Sequence, residues 1–175
     1  MTYTDPSAFT FVDAAANGAD LDTYVLDNVE FLATSKPYCA VTRTTDYTIA
    51  SSGSFESVTC DTVLVDTDSM SDGTGITITR TGYYIVQFGA FFESGTYNKN
   101  AQVVDDDGRV IVADYLLSIL TATDAHLGKS SHPVLLTAAQ TIRLEVRRDG
   151  DDTKVVYFRS EDSPILSVSW YAEPA

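Results

Sequence analysis

VTCDTVLVDTDSMSDGTGITITRTGYYIVQFGAFF, residues 58 to 92, alternates apolar and polar side chains, breaks at a turn of small residues, and resumes after Thr81-Gly82. Before the turn, Ile76 and Ile78 fall on one face, with Thr77 and Thr79 on the other. After it, Tyr84, Val86, Phe88, Ala90 and Phe92 share a face, as a period of two requires. A strand this long with so apolar a face needs a second sheet to cover it. The stretch therefore predicts the core of an antiparallel sandwich or jelly roll.

The rest of the chain agrees with that class. Beyond Tyr38 no strong helical periodicity appears, and strands are predicted at 38–43, 46–50, 57–66, 75–80, 82–93, 100–105, 109–114, 115–123, 132–137, 141–148, 153–159 and 164–171. In TIRLEVRR, Ile142, Leu144 and Val146 should face inward and Arg143, Glu145 and Arg147 outward. Asp106-Asp107-Gly108 predicts a hairpin turn of type I′, because Asp-Gly accepts positive φ angles. Asp149-Gly150-Asp151-Asp152 reads as a second such loop. Residues 1–16, with Pro6 and Ala14-Ala15-Ala16, read as an extended arm. One short α-helix is predicted at 19–34, where Leu21, Val25, Val29 and Leu32 trace a stripe widened by Tyr24 and Phe31. Asn17 or Asp20 can cap that helix, and Pro37 follows its end. The expected organisation is an N-terminal arm and helix over 1–36 and a jelly-roll β-sandwich over 37–175.

Composition narrows the function. The chain has 175 residues and a formal net charge of −14, from 11 basic and 25 acidic residues. Nucleic acid and anionic membrane both need clustered Lys and Arg, so neither is an expected partner. The bland reading of the charge is solubility through self-repulsion. Cys39 and Cys60 each lie in an apolar run and are expected to be buried free thiols. MTYTDPSAF has neither a basic region nor an apolar core, so a soluble product made without export is expected.

No catalytic constellation is legible. The loop Asp66-Thr67-Asp68-Ser69-Met70-Ser71-Asp72-Gly73 invites a calcium reading, but Met70 sits where a ligand should be and no bidentate Glu follows. A solvated loop is the simpler expectation, and Asp105-Asp106-Asp107 is read as a turn. His126 and His132, the only histidines, lie six residues apart in an expected loop and are read as surface residues. They are too few for a zinc or cupin-type site. Gly53-Ser54 lacks the flanks of a nucleophile elbow, and no glycine-rich phosphate loop is present. No enzyme activity, metal or cofactor is expected. The ten Tyr, eight Phe and Trp170 supply large core anchors. Tyr97, Tyr115 and Tyr157 are candidates for subunit contacts instead.

Thr81-Gly82-Tyr83-Tyr84-Ile85-Val86, following Ile76-Thr77-Ile78-Thr79, resembles the Gly-x-Tyr signature of trimeric jelly rolls, the tumour-necrosis-factor-like and complement-globular-head-like domains. Ala138-Ala139-Gln140-Thr141-Ile142-Arg143-Leu144-Glu145-Val146 resembles a later strand of that family, with Ala139-Gln140 where a Gly-Asp turn is usual. Ser163-Pro164-Ile165-Leu166-Ser167-Val168-Ser169-Trp170 resembles its C-terminal strand. More narrowly, 66–72 and Thr23–Leu32 are similar to jelly-roll proteins of tailed bacteriophages. The resemblance implies a homotrimer and a virion structural role, made in the host cytoplasm. A capsid decoration (cement) protein on the outer surface of the phage head follows, with Tyr3, Phe9, Phe11, Tyr24 and Phe31 gripping the major capsid protein. The alternative is a head-fibre or tail-fibre tip that binds a host-cell receptor or glycan.

Overall fold

The computed structural model describes residues 36–50, 53–95, 97–116, 125–150, 154–157 and 165–174. The expected arm and helix, with Tyr3, Phe9, Phe11, Tyr24 and Phe31, lie outside the described residues. Thirteen strands follow in chain order. They are β1 (Tyr38–Thr42), β2 (Tyr47–Ile49), β3 (Glu56–Ser57), β4 (Thr62–Asp66), β5 (Ile76–Thr77), β6 (Gly82–Phe92) and β7 (Asn98–Asp105). Then come β8 (Val110–Leu116), β9 (Ala125–Ser130), β10 (Val134–Leu136), β11 (Thr141–Asp149), β12 (Lys154–Tyr157) and β13 (Leu166–Ala172).

β6 is the seam of an eight-stranded sheet ordered β2-β12-β6-β13-β1-β4, with β9 and β10 also paired to β6. Its 11 residues are long enough to hold two strands along each edge. β10 pairs with its first residues and β9 with its last. On the other edge β13 pairs from Tyr83 to Phe88 and β12 takes Phe91 and Phe92. The second sheet has five strands, ordered β3-β11-β7-β8, with β5 also on β11. Every described pairing is antiparallel. The fold is an all-β antiparallel jelly-roll sandwich.

The core lies between the two sheets and follows from their alternation. Tyr84, Val86, Ala90 and Phe92 from β6 are fully buried against Ile142, Leu144 and Val146 from β11, with Ile76 and Ile78 beneath. The inward and outward rows of both strands are those the period of two predicts. Cys39 and Cys60 are buried free thiols in the same core. Burial pushes both up to about 12, so neither is a thiolate at neutral pH.

The Gly-x-Tyr signature has a physical reason. Gly82 lies directly under the indole of Trp170, and a Cβ there would come within 3.0 Å of three ring carbons. The Tyr84 ring meets the same indole edge-on, centroids 5.3 Å apart at 84°. Its hydroxyl donates to the Arg80 carbonyl at 2.8 Å, tying the strand back to the turn that precedes it.

Four sequence expectations are corrected. The run 57–66 is two strands, because Glu56 and Ser57 pair with β11 in one sheet and Thr62–Asp66 with β1 in the other. Between them the chain crosses the core edge. Val58 N–H donates to Leu144 O at 2.9 Å and Asp61 N–H to Thr42 O at 3.1 Å. The break expected between 114 and 115 is absent: β8 runs continuously from Val110 to Leu116, and 117–123 lie outside the described residues. β9 carries His126, which is therefore on a strand and not in a loop. Lastly, the Asp106-Asp107 turn is not type I′. Only Gly108 has positive φ, at 80°, and its N–H donates to Asp105 O at 3.0 Å. That is a type I turn closed by a glycine bulge.

The turn before β11 carries a strained residue. Gln140 N–H donates to Thr137 O at 3.1 Å, with Ala138 and Ala139 at the central positions. Ala139 adopts φ 70°, the left-handed region where a Cβ is disfavoured. A glycine is the residue this turn requires. Ala139→Gly should therefore stabilise the domain by about 0.5–1 kcal/mol, once the extra flexibility of unfolded glycine is subtracted. Thermal melts should show a rise of about 2 °C; a fall would mean that the turn tolerates alanine without strain.

Candidate interaction face

The two sheets turn very different surfaces outward. On the five-stranded sheet, β11 presents Arg143, Glu145, Arg147 and Asp149, and these are paired locally. Gln102 Nε2 donates to Glu145 Oε2 at 2.9 Å, and Arg147 Nη2 to Asp149 Oδ1 at 2.7 Å. This is a charged face paired largely within itself, although Arg143 Nε, 3.8 Å from Glu145 Oε1, makes no hydrogen bond.

Among the described residues, the strands of the eight-stranded sheet carry no charged side chain on their outward rows. Along β6 these are Tyr83, Ile85, Gln87, Gly89 and Phe91, which alternate with the core residues. Register extends the pattern sideways. Gln87 is flanked by Ser167 and Ser130, and Ser167 is followed by Ala40 and Val65. Ile85 lies beside Ser169, Tyr83 beside Leu135, and Phe91 beside His126. Several large apolar groups stand in water here: Val65 is 44% exposed, Phe91 38%, Leu135 40% and Tyr171 60%. On a chain of net charge −14, an uncharged sheet face that mixes Ser and Gln with exposed Val, Leu and aromatic side chains has the character of an interface.

His126 is built into that face. Its imidazole stacks on the Phe91 ring, centroids 4.2 Å apart and planes 17° from parallel. On its other side lies Gly128, where a Cβ would stand 3.1 Å from the imidazole Cε1 and 3.2 Å from Nε2. A side chain at 128 would force the ring to give way by a few tenths of an ångström.

The acidic loop is neither a calcium cage nor simply solvated. Its carboxylates are spent on the loop itself. Asp66 accepts from the N–H groups of Asp68, Met70 and Ser71 at 3.2, 2.9 and 2.8 Å. Burial alone would raise the Asp66 carboxyl, but these donors outweigh it and hold the group below its ordinary 3.8. Asp72 accepts from Thr74 N–H at 2.7 Å and Gly75 N–H at 2.8 Å, with the same net result against the same effect of burial. Asp68 pairs with Arg80 at 3.1 Å. Met70, between them, is fully buried and anchors the loop to the core. Among the described residues no three His, Cys, Asp or Glu side chains converge as a metal site would require.

The three tyrosines expected at subunit contacts fall in three different places. Tyr97 is 5% exposed and belongs to the core, its hydroxyl donating to Glu93 O at 2.6 Å and its ring lying under Lys99 Nζ at 4.4 Å. Tyr115 is 67% exposed, but it pairs with Asn100 on the five-stranded sheet, away from the uncharged face. The Tyr157 backbone pairs with Phe91 at that face; its side chain lies outside the described residues. Sequence reading did not single out Ile85, Phe91 and Leu135, and took His126 as a surface residue of a loop. The signal lay in the outward row of β6, which carries no charge from Tyr83 to Phe91.

The chain matches no protein-family model and no curated protein by sequence. Solved structures do match. The Eiger TNF of S. frugiperda superposes with a TM-score of 0.58 at 11% identity, covering 80% of this chain and 95% of that one. Murine APRIL at pH 5.0 gives 0.60 at 11% identity, covering 78% of this chain and 99% of that one. The fold is thus a tumour-necrosis-factor-like jelly roll.

Proposed function

We propose that this chain is a non-enzymatic structural protein of a virus particle, a homotrimer that decorates and stabilises the outer surface of a tailed-phage head. The observation that carries self-association is the uncharged outward face of the eight-stranded sheet. Copies bearing −14 each repel one another, and only a face free of carboxylates lets them close without burying unpaired charge. The other sheet face, with its paired Arg and Glu side chains, suits solvent. The virion role draws support from the similarity of 66–72 and Thr23–Leu32 to phage jelly-roll proteins. In this reading the segment 1–36 binds the major capsid protein through Tyr3, Phe9, Phe11, Tyr24 and Phe31.

The two halves of the proposal separate experimentally. Ile85→Asp puts a charge at the centre of the face and should give a folded monomer by sedimentation velocity, with the dissociation constant raised at least 100-fold. An unchanged oligomer would remove this face from the assembly. Deleting residues 1–34 should abolish binding to purified heads yet leave the trimer folded, and retained binding would sink the anchor. Counting copies on particles by electron cryomicroscopy distinguishes decoration, with hundreds of copies over the head lattice, from a receptor-binding tip with few.

A further inference from the structure

We infer that self-association through the uncharged face is switched off by protonation of His126. The inference rests on the self-association reading above and names its regulation. Imidazole is the side chain that changes charge between pH 5 and 8. His126 stands on β9 within the apolar row, stacked on Phe91 and backed by Gly128. In the free subunit this ring is exposed, and water solvates an imidazolium there. In the assembly it is covered by a second copy, on a face whose outward rows bring no carboxylate to pair with it.

The titratable groups on the packed strands do not reverse this. β6 contributes only the Tyr83 phenol to the outward rows. β9 itself adds Lys129, a like charge. β7 supplies Lys99, fully buried with its ammonium donating to Gly95 O at 3.1 Å, and Asp105 at the strand's far end, bound to Arg109. β12 pairs with the other edge of β6 through Val156 and Tyr157, and the Lys154 and Tyr157 side chains lie outside the described residues. β8 carries Tyr115 and Asp114, whose Oδ2 accepts the Gly128 N–H at 3.3 Å. Among the described residues the carboxylates beside β9 are Asp114 and Glu93, which follows Phe92 where β6 pairs with Ala125, and both serve the free subunit as well as the assembled one. The free state thus binds protons more readily, and association weakens as pH falls. Each imidazole kept neutral by assembly contributes up to about tenfold per pH unit, so a trimer loses up to about 10³ in its association constant.

Sedimentation velocity of the full chain at pH 8.0 and 5.0 tests this, with Trp170 fluorescence confirming that the subunit stays folded. The Asp66 and Asp72 carboxyls, held below 3.8, keep the acidic loop intact at the lower pH. Wild type should be oligomeric at pH 8.0 and dissociate at pH 5.0. His126→Gln should be oligomeric at both, while His132→Gln, altering the other histidine, should behave as wild type. An oligomer indifferent to pH, or full pH dependence retained in His126→Gln, overturns the switch and leaves self-association standing. A wild-type monomer at both pH values overturns both.

Discussion

Gly82→Ala is expected to cost the domain about 3 kcal/mol, seen as a drop in melting temperature of about 8 °C. The added methyl would lie against the indole of Trp170, which is already engaged edge-on by Tyr84. Neither ring can retreat cheaply. Tyr84 is fully buried and fixed through its hydroxyl to Arg80 O, and Trp170 lies in β13 opposite Tyr84 in the sheet. The methyl must therefore push two strands apart or force the indole off its rotamer. Trp170→Leu, which clears the space, should make the same substitution nearly free. The two losses should then combine to much less than their sum. If they simply add, the indole is not what the methyl meets.

Asp105→Ala should be of similar size, about 3 kcal/mol, for a different reason. Asp105 is 1% exposed at the end of β7, and its carboxylate is fully used. Oδ1 accepts the Arg109 N–H at 2.8 Å, while Oδ2 accepts Arg109 Nε at 2.9 Å and Gln140 Nε2 at 2.8 Å. Those bonds join the β7–β8 hairpin to the turn that starts β11, so the carboxylate fastens two loops at one end of the sandwich. Removing it leaves part-buried donors without an acceptor, although Arg109, half exposed, can turn to water. Asp105→Asn tests the argument more sharply. An amide can satisfy the Arg109 N–H, but its NH₂ then faces two other donors. Urea melts should place the asparagine variant close to alanine. A near-neutral asparagine would show that the carboxylate matters for its shape alone.

Much of this architecture is legible in the sequence wherever a strand is half buried. β6 and β11 alternate cleanly, and their inward rows are the observed core. The reading fails where tertiary pairing overrides local pattern. β9, Ala-His-Leu-Gly-Lys-Ser, has little strand propensity, with Gly and Lys at adjacent positions. It is a strand because β6 offers it an edge along six residues. The break inside 57–66 is equally invisible, since both halves alternate and only the change of partner strand separates them. The candidate face was hidden for a third reason. Tyrosine content points to candidate contacts, whereas the face is defined by absence of charge across β1, β4, β6, β9, β10 and β13, and register alone brings those rows together. Tyr97 shows the limit of composition, because a large aromatic ring serves a core as readily as an interface.

The position of β13 bears on how the chain is made. It lies between β1 and β6, pairing with both, although its partners stand 125 to 131 positions away in β1 (Val41↔Leu166, Tyr38↔Ser169) and 78 to 89 away in β6 (Phe88↔Leu166, Tyr83↔Ala172). As the polypeptide emerges from the ribosome, β1 and β4 can pair early and β6 can recruit β9 and β10. Until Leu166–Ala172 arrives these remain two separate ribbons with bare edges facing each other. The last strand is the zip between them, so a stalled or prematurely ended translation product exposes unpaired amide edges and an open core. Such fragments should be the aggregation-prone species in expression, and the completed chain should fold slowly for its size.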